Sequence, residues 1–541
     1  MDDSVMHIDW NWQLNSSAEE LWPLLSDTNR LNGNLNLPPV QNSDISYDHK
    51  EGFTQLSYRA LQHAEAWEEE PYEWERPYRF GVKRHYKNGA FRQMKIQVDL
   101  LPNDRGTRVR FQIWATTRNL LSYYLEPLKL RLFTRMRLKK TLMRYDRMIQ
   151  EQRLPYTLET RDKLHKDGRQ RVAQYREELI SATERPDLVS KLINFVRYAR
   201  DIDLVRISPY RLADHWSVDR QEVLTLFLYA TDQGLLNFNW DLYCPECRSH
   251  QQRCKTLSQV HEPVFCNECQ QEFTVNFNHN IRLSFRPNPL IRNISEQRYC
   301  LTGPGTSPHI AVKQYLKPGD KRYLKVNLKP GEYILHTEGH RGEARVFVEE
   351  NGRENVSVTV GDAGFNGETV RLNPKPNLVL ENRSNETLIF QLEKKAWSRD
   401  TPTAARVTSL QLFRTLFDKE VLRKGEKIAV DGQTLMFTDL FDSTGMYNKE
   451  GDATAVGRVI EHFKILQQAI ASLDGAVVKT IGDSVMAVFS KPADAYRAIL
   501  KAQKMIAADS RFKQRIKLKA GIHHGSCMAV NLNNSIDYFG S

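Results

Sequence analysis

Two aspartates in the last quarter of the 541-residue sequence are placed where they could hold metal ions. Asp439 follows an apolar run at residues 434–438, which predicts a strand, and Asp483 lies at the tip of an expected hairpin, directly after Gly482. An aspartate in a turn is common and indicates little alone. Two carboxylates at strand ends, however, suit a pair of hard divalent cations, which prefer oxygen ligands. We therefore treat Asp439 and Asp483 as candidate catalytic residues of a two-metal site.

Four of the seven cysteines form two Cys-x2-Cys pairs that are separated by eighteen residues. The four are Cys244, Cys247, Cys266 and Cys269. This spacing is typical of a zinc ribbon, in which four thiolates close a tetrahedral shell around a structural Zn²⁺. We predict such a ribbon over residues 241–280. Cys254 lies between the pairs, where a spare thiol is favoured over a ligand, and a disulfide is the alternative to the metal.

The elements around the two aspartates alternate between strand and helix over residues 432–541. Four motifs in this segment resemble, in order and separation, the class III adenylate/guanylate cyclases. They are Phe437-Thr-Asp439-Leu-Phe-Asp-Ser443-Thr444, Val478-Lys479-Thr-Ile-Gly-Asp483-Ser, Ala520-Gly-Ile-His-His-Gly525 and Asp537-Tyr-Phe-Gly540. The resemblance implies a ferredoxin-like α/β sandwich of the cyclase type within a multidomain α+β chain.

The resemblance also implies a reaction and its cofactors. Asp439 and Asp483, with the Leu440 carbonyl, would hold two Mg²⁺ ions, or Mn²⁺. ATP would be converted to 3′,5′-cyclic AMP and pyrophosphate by in-line attack of the ribose 3′-hydroxyl. Backbone N–H groups at a helix start would cradle the phosphates. Those N–H groups lie between Phe441 and Thr444 and include that of Ser443.

Two further residues would choose the base and thereby the substrate. Lys479 would donate to adenine N1, and Asp537 would accept from the adenine amino group. Guanine has the opposite pattern at both positions, so the pair predicts ATP as the substrate. In the family the metal carboxylates and the base-reading pair of one site come from opposite subunits. The resemblance therefore implies a head-to-tail homodimer.

The sequence ends at Ser541, directly after the fourth motif. The family's transition-state asparagine and arginine, and a later phosphate-binding lysine, would follow that point. We therefore expect an incomplete sandwich, from a fragment of a longer cyclase that has little activity by itself. A catalytically dead relative is the alternative, which the intact earlier motifs disfavour.

Residues 1–152 resemble the START-like helix-grip fold, since a strand and short helices are followed by aromatic-rich strands and a long helix. Six aromatic residues could line a cavity for an apolar ligand, or could simply form the core. They are Trp10, Trp12, Trp22, Tyr58, Trp74 and Phe80. The long helix, at about 121–152, is basic and amphipathic. It could lie on an anionic membrane or on nucleic acid, but we predict the commoner arrangement, a core-facing apolar stripe with a solvated basic face.

The remaining segments complete the predicted order of domains. Residues 153–240 are expected to be helical and winged-helix-like, residues 281–397 to form a β-sandwich, and residues 398–431 to form a linker helix. The second helix of the winged-helix-like segment, 219–232, has one Arg and no Lys, so nucleic acid is not expected as a partner.

Composition sets the remaining limits. The net charge of +11 is mild for this length, and 40% of residues are hydrophobic, which excludes a disordered chain. The sequence has no apolar run long enough for a transmembrane helix and no signal-peptide pattern, so we expect a cytoplasmic protein. Two other functions remain open, a DNA-binding regulator built on the winged-helix-like segment and zinc ribbon, and a ligand sensor whose cyclase domain only dimerises.

Overall fold

The computed structural model describes residues 5–41, 54–60, 63–151, 162–266, 271–300, 303–338, 342–365, 367–509 and 517–540. The chain folds into two compact units, and each unit combines two separate stretches of sequence. The first unit consists of Met1–Thr157 and Glu296–Ser398, and the second of Leu158–Ser295 and Arg399–Ser541. This division groups the chain differently from the six consecutive segments expected from the sequence, because distant stretches pair with one another.

The N-terminal half of the first unit is an antiparallel sheet with helices packed on it. Its first strand, Met6–Leu14, alternates buried and exposed residues and pairs with Gly106–Thr117. The sheet continues through Phe91–Asn103 and Arg79–Tyr86 to Glu73–Glu75. Further strands are Val40–Gln41, Thr54–Ala60 and His63–Glu69, and the first helices are Ala18–Leu25 and Thr28–Asn34. Ser17 and Glu20 start the first of these helices with a capping box, which satisfies N–H groups that the helix leaves unpaired.

Five of the six aromatic residues that were considered for a ligand cavity are core residues. Trp10, Trp12, Trp22, Trp74 and Phe80 are all buried in one apolar cluster. Trp22 and Phe80 meet edge to face, with their ring centroids 5.8 Å apart. The Tyr58 side chain lies outside what the structure describes. The five described rings are therefore part of the core, as the simpler of the two interpretations predicted.

The long basic helix of the first unit differs from the prediction. It runs as Leu120–Lys129, a π-helical turn at Leu130–Thr134, and Arg135–Gln150. Only its second part buries an apolar stripe, against the strand Met6–Leu14 and the helix Ala18–Leu25. Leu128, Leu132 and Met136, which were expected to face the core, are exposed. The prediction of a core-facing stripe is therefore wrong for the first part of the helix.

The C-terminal half of the first unit extends the same sheet. Its strands are Ile310–Leu316, Lys321–Lys325, Gly331–Thr337, Glu343–Val360, Thr369–Asn382 and Leu388–Lys394. Ile310–Leu316 pairs with Glu73–Glu75, with Val312 opposite Glu75, so the sheet is continuous between the two stretches. Apolar residues of all six strands form a single buried cluster.

The second unit begins with helices and a three-stranded sheet. The helices are Lys166–Thr183, Pro186–Tyr198, Asp201–Leu204, Pro209–Trp216 and Arg220–Asp232. The sheet has Leu236–Tyr243 at its centre, between His250–Cys254 and Ile281–Pro287. Ile281–Pro287 was expected to open the following β-sandwich. It instead pairs with Leu236–Tyr243 across the whole cysteine-containing insertion, which holds it in the second unit.

Two short helices replace the single linker helix that was expected. They are Ala404–Thr408 and Gln411–Leu416. Between them Leu410 is extended, and side chains satisfy the carbonyls at the end of the first helix: Ser409 Oγ donates to the Arg406 carbonyl, and Arg414 Nε to the Thr408 carbonyl at 2.8 Å. Such side-chain bonds compete with continuation of a helix.

The remainder of the second unit is an antiparallel five-stranded sheet with helices on one face. Its strands, in spatial order, are Ala476–Ile481, Ser484–Phe489, Lys427–Leu440, Leu518–Leu532 and Ser535–Phe539. The central strand starts seven residues before the predicted 434 and continues one residue past Asp439. Helices Asp452–Ala471 and Pro492–Ala508 bury their apolar residues with Met436 and its neighbours. A shorter helix, Ser443–Glu450, follows the central strand.

Candidate active site

The two predicted metal carboxylates lie at the same edge of the sheet. Asp439 is the penultimate residue of the central strand, and Asp483 directly precedes the neighbouring strand. Because the strands are antiparallel and Thr438 lies opposite Val485, the end of one strand meets the start of the other. Ser484 Oγ donates to Asp439 Oδ1 at 2.9 Å, which joins the two sides of this edge.

Asp483 has the form expected of an oxygen ligand. Its Oδ2 atom is buried and has no hydrogen-bond partner among the described residues. A buried carboxylate oxygen without a partner is costly, and a cation would remove that cost. The carbonyl of Leu440, the third predicted ligand, belongs to the last residue of the central strand. The residues present therefore fit a divalent cation at this edge.

A lysine that sequence reasoning missed lies beside Asp439. Lys519 is opposite Asp439 on the adjacent strand, and its Nζ is 3.7 Å from Asp439 Oδ2. The same ammonium lies over the Phe441 ring, 5.2 Å from the centroid. Cross-strand pairing places it there. Only knowledge of which strands are neighbours could have identified it, since Lys519 lies 80 positions away in the chain.

The expected phosphate cradle is placed at the start of the helix Ser443–Glu450. Asp442, just before it, has a left-handed backbone (φ 56°), and its carboxylate lies over Gly445, where an added Cβ would be 2.5 Å from Oδ2. The N–H of Phe441 donates to the Lys517 carbonyl at 2.9 Å, so it belongs to the strand pairing. Ser443 and Thr444 are in the first turn, whose N–H groups have no partner within a helix.

The predicted base-reading residues form a direct ion pair. Lys479 Nζ is 2.6 Å from Asp537 Oδ2, and Lys479 also lies over the Phe539 ring at 5.5 Å. The Asp537 side chain is only 5% exposed, so its carboxylate is held rather than solvated. Their strands are at opposite ends of the strand order. The pairing of the central strand with Leu518–Leu532 shifts register between Val430 and Gln433, an irregularity of the kind that bends strands.

Asp439 and Lys479 lie on the same face of the sheet. Along the central strand Met436 and Thr438 are buried against the helices, whereas Phe437 is 47% exposed on the opposite face, which also carries Asp439. Lys479 lies opposite Met486, which in turn lies opposite Phe437. The open face of the sheet thus carries Asp439 at one end and, separately, the donor–acceptor pair of Lys479 and Asp537.

The two short helices before the sheet contact both strands that carry the ion pair. Gln411 Oε1 accepts from the Val477 N–H at 2.9 Å, two residues before Lys479. Arg414 Nη1 donates to the Ile536 carbonyl at 3.0 Å, next to Asp537, and its guanidinium stacks on Tyr538. The helix Gln411–Leu416 therefore joins the two outer strands.

A buried histidine accompanies the site. His462, on the helix Asp452–Ala471, is inaccessible to solvent, and neither ring nitrogen has a hydrogen-bond partner among the described residues. Burial lowers the pKa of His462 to about 4, although the nearby charge of Asp483 opposes that shift. The imidazole is thus neutral at pH 7. The sequence did not indicate the buried, neutral state of His462, because a single histidine on an apolar helix face has no distinctive pattern.

The cysteines form a candidate metal centre. The Sγ atoms of Cys244, Cys247 and Cys266 all lie within 4.8 Å of one another, and those of Cys247 and Cys266 are 3.6 Å apart. A tetrahedral zinc–thiolate site requires sulfur atoms about 3.8 Å apart. Cys269 lies outside the described residues. Cys254 is not part of this group. Its thiol points to the Gln259 carbonyl, and burial raises the pKa of Cys254 to about 11.

Comparisons with known proteins identify the class of the C-terminal segment. Residues 426–541 match the family described as the adenylate and guanylate cyclase catalytic domain, and residues 172–299 match a family of unknown function. The segment that carries Asp439, Asp483 and the Lys479–Asp537 pair is thus the one that is similar to adenylate and guanylate cyclase catalytic domains.

Individual relatives are more distant. Adenylate cyclase 1 of Rhizobium meliloti (strain 1021) is 27% identical over an alignment of 136 residues, and the match covers 21% of this chain and 20% of that protein. The chain therefore matches about a fifth of the length of this curated relative. A bacterial light-regulated adenylyl cyclase is 21% identical over 21% of this chain and 37% of its own, with a TM-score of 0.20. The guanylyl cyclase domain of a fusion protein from the fungus Blastocladiella emersonii is 19% identical over 21% of this chain and 70% of its own, also with a TM-score of 0.20.

Proposed function

We propose that the protein is an adenylate cyclase, which converts ATP to 3′,5′-cyclic AMP and pyrophosphate. The observation that carries this proposal is the Lys479–Asp537 pair at 2.6 Å, on the same face of the sheet as Asp439. Adenine has an acceptor at N1 next to a donor on its amino group. A lysine and an aspartate in contact can donate to the first and accept from the second at once.

The carboxylate edge is the proposed metal site. Asp439, Asp483 and the Leu440 carbonyl would hold two Mg²⁺ or Mn²⁺ ions, which when bound lower the pKa of the ribose 3′-hydroxyl and neutralise charge on the triphosphate. Ser484 fixes the orientation of Asp439, and Lys519 balances its charge. The first turn of Ser443–Glu450 would receive phosphate oxygens, chiefly at the N–H groups of Ser443 and Thr444.

The proposed functional unit is a head-to-tail homodimer. Helices cover one face of the five-stranded sheet, while the other leaves Phe437 and Phe539 about half exposed beside the site residues. An antiparallel sheet can leave one face to solvent, but exposed aromatic side chains beside a site mark that face as a contact surface for a second layer. A second copy would supply that layer and, in the arrangement of the family, would place the ion pair of one chain opposite the carboxylates of the other.

The other segments are proposed to be regulatory. A START-like first half with a possible apolar ligand, a winged-helix-like segment and a zinc ribbon that binds one structural Zn²⁺ stay proposals. Nucleic acid is not proposed as a partner. The helix Arg220–Asp232 buries six apolar residues and packs against Lys166–Thr183 and Gln411–Leu416, and its exposed side chains Glu222 and Asp232 are acidic, which disfavours contact with phosphate.

The test is cyclic nucleotide formation by the full-length protein with MgATP and, separately, MgGTP. Asp439→Ala and Asp483→Ala should each lower the rate by at least about a hundredfold, because each removes a charged ligand. Asp494→Ala is the matched control, since Asp494 is at the far end of the Ser484–Phe489 strand, on the helix Pro492–Ala508. Near-normal turnover in either carboxylate variant would refute the metal site.

The same assay tests the choice of base. Lys479→Glu with Asp537→Cys should shift preference from ATP toward GTP, since each mismatched buried group costs about 1–3 kcal/mol. Equal use of both nucleotides by the wild type, or an unchanged preference in the double variant, would refute the base-reading roles.

A further inference from the structure

The basic helix of the first unit exposes an unusual number of large apolar side chains before Arg137. Tyr124, Phe133 and Met136 are 72%, 62% and 71% exposed. The whole set is Tyr124, Leu125, Leu128, Leu132, Phe133 and Met136. Single exposed apolar residues are normal on a protein surface, but six within thirteen positions of one helix form a patch that needs a partner.

The π-helical turn aligns this patch. Tyr124, Leu128, Leu132 and Met136 recur every four residues, and on a regular α-helix that spacing drifts steadily around the axis, by about 40° a step. The turn Leu130–Thr134 holds more residues than an α-helical turn, which reduces the drift. The four side chains therefore stay on one side, while Leu138, Leu142 and Tyr145 are buried on the other.

Positive charge lies at the C-terminal end of the apolar patch. Arg135, Arg137, Lys139 and Lys140 are all exposed. Between residues 120 and 140 the sequence has six basic residues and one acidic residue. A helix with exposed apolar side chains and basic neighbours matches the two components of an anionic lipid surface, acyl chains and headgroup charge.

We propose that this face of the helix, Tyr124–Lys140, binds the surface of an anionic phospholipid bilayer and lies in its headgroup plane. No helix that the structure describes has both the length and the hydropathy to cross a bilayer, so the contact would be superficial. Nucleic acid would satisfy the charges but leave the leucine, phenylalanine and methionine side chains without an apolar partner. A symmetric contact with a second copy would set the basic cluster against itself.

The experiment is flotation of the full-length protein with vesicles of phosphatidylcholine alone and with an equimolar mixture of phosphatidylcholine and phosphatidylglycerol. The wild type should bind the mixed vesicles, less so at high salt, and the neutral vesicles weakly. Leu132→Ser with Phe133→Ser and Met136→Ser should lower the partition coefficient at least about tenfold. Arg137→Gln with Lys139→Gln and Lys140→Gln should lower it by at least as much.

The matched control is Tyr323→Ser, which removes an equally exposed aromatic side chain (74%) from another part of the same unit and should bind as the wild type does. All these positions are exposed, so unchanged circular dichroism would confirm that each variant folds. Failure of the wild type to float with the mixed vesicles would overturn the proposal. So would wild-type flotation of either triple variant, loss of a dimer in the apolar variant without lipid binding, or binding to nucleic acid in preference to vesicles.

Discussion

The buried imidazole of His462 gives the catalytic segment a predictable response to acid. The folded protein keeps His462 neutral until the pH falls to about 4, since burial lowers its pKa from 6.5. The unfolded chain takes up the proton near pH 6.5. Because the pKa is lower in the folded state, the stability that depends on the neutral ring is complete above pH 6.5. It is lost as the pH falls from 6.5 to 4, by about 3 kcal/mol.

This loss should be visible in hydrogen exchange. Protection of the helix Asp452–Ala471 should fall between pH 6.5 and pH 4 more steeply in the wild type than in His462→Leu, which has no proton to take up. His523→Leu, a change at an exposed histidine of the same segment, should behave as the wild type does. Parallel pH profiles of the wild type and His462→Leu would contradict the prediction.

Single residues of the site were predictable to different degrees. Asp439, Asp483, Lys479 and Asp537 lie in motifs, so local sequence was enough to single them out. Lys519 was not, because its contact with Asp439 exists only through the pairing of two strands. The hydrogen bond from the Phe441 N–H to the Lys517 carbonyl was not predictable for the same reason, since it too depends on which strands are neighbours.

Among the elements, the helix Gln411–Leu416 is placed to control the ion pair. Its Arg414 holds the Ile536 and Thr408 carbonyls and stacks on Tyr538, so Arg414→Ala would leave both carbonyls without that donor. We expect a loss of about 1–3 kcal/mol in nucleotide binding, or about 5- to 150-fold in affinity, as the strand Ser535–Phe539 loosens.

Equilibrium dialysis with a non-hydrolysable ATP analogue would measure this change. Arg423→Ala is the control, since Arg423 is exposed in the following loop. Wild-type affinity in Arg414→Ala would show that the strand Ser535–Phe539 is held by other contacts.

The same helix also contacts residues 172–299, the segment that matches the family of unknown function. Phe413 contacts Phe238 and Trp240, with ring centroids 6.2 and 6.0 Å apart. A displacement of Phe238 or Trp240 would therefore be passed to Asp537 through the helix Gln411–Leu416 and the hydrogen bond from Arg414 to the Ile536 carbonyl.

The cysteine insertion makes an independent prediction at the same scale. The purified protein should contain one Zn²⁺ per chain, and Cys244→Ser or Cys266→Ser should release it, because three thiolates hold the ion less tightly than four. Cys254→Ser should retain the metal. Elemental analysis of the three variants is the measurement, and full zinc in Cys244→Ser, or none in the wild type, would contradict the ribbon.

Elements were predictable where their pattern was local. The helices Asp452–Ala471 and Pro492–Ala508 follow from apolar spacing and a start at Pro492, and the turns of the first unit follow from glycine and proline. The strand Ile281–Pro287 was grouped wrongly, because its partner, Leu236–Tyr243, precedes an insertion of nearly forty residues. The π-helical turn at Leu130–Thr134 has no sequence signature that periodicity detects.

For the whole molecule, the proposed homodimer predicts that two inactive variants can restore each other. Asp483→Ala removes a metal ligand, and Lys479→Glu removes a base contact. If each site takes its carboxylates from one chain and its ion pair from the other, a mixed dimer has one intact site and one with both defects. Purified mixed dimers, with one intact site of two, should then have about half of the wild-type activity.

Co-expression of the two full-length variants with different affinity tags would provide the mixed dimer, and cyclic AMP formation by the doubly purified fraction is the measurement. Asp439→Ala mixed with Asp483→Ala is the control, which should stay inactive because every site has a defective carboxylate edge. No recovery in the first mixture would mean that each site is complete within one chain.

The two stretches of the first unit are synthesised at different times, which affects how its sheet forms. Its sheet joins Glu73–Glu75 to Ile310–Leu316, yet residues 158–295 of the other unit are made in between. At about 5–20 residues per second, the nascent N-terminal strands wait on the order of ten to fifty seconds for their partners. During that interval Glu73–Glu75 is an open sheet edge in a crowded cell. Glu73 and Glu75, which flank Trp74 on that short strand, would then protect the edge against aggregation, because charged side chains on an unpaired edge strand disfavour its pairing with a neighbouring nascent chain.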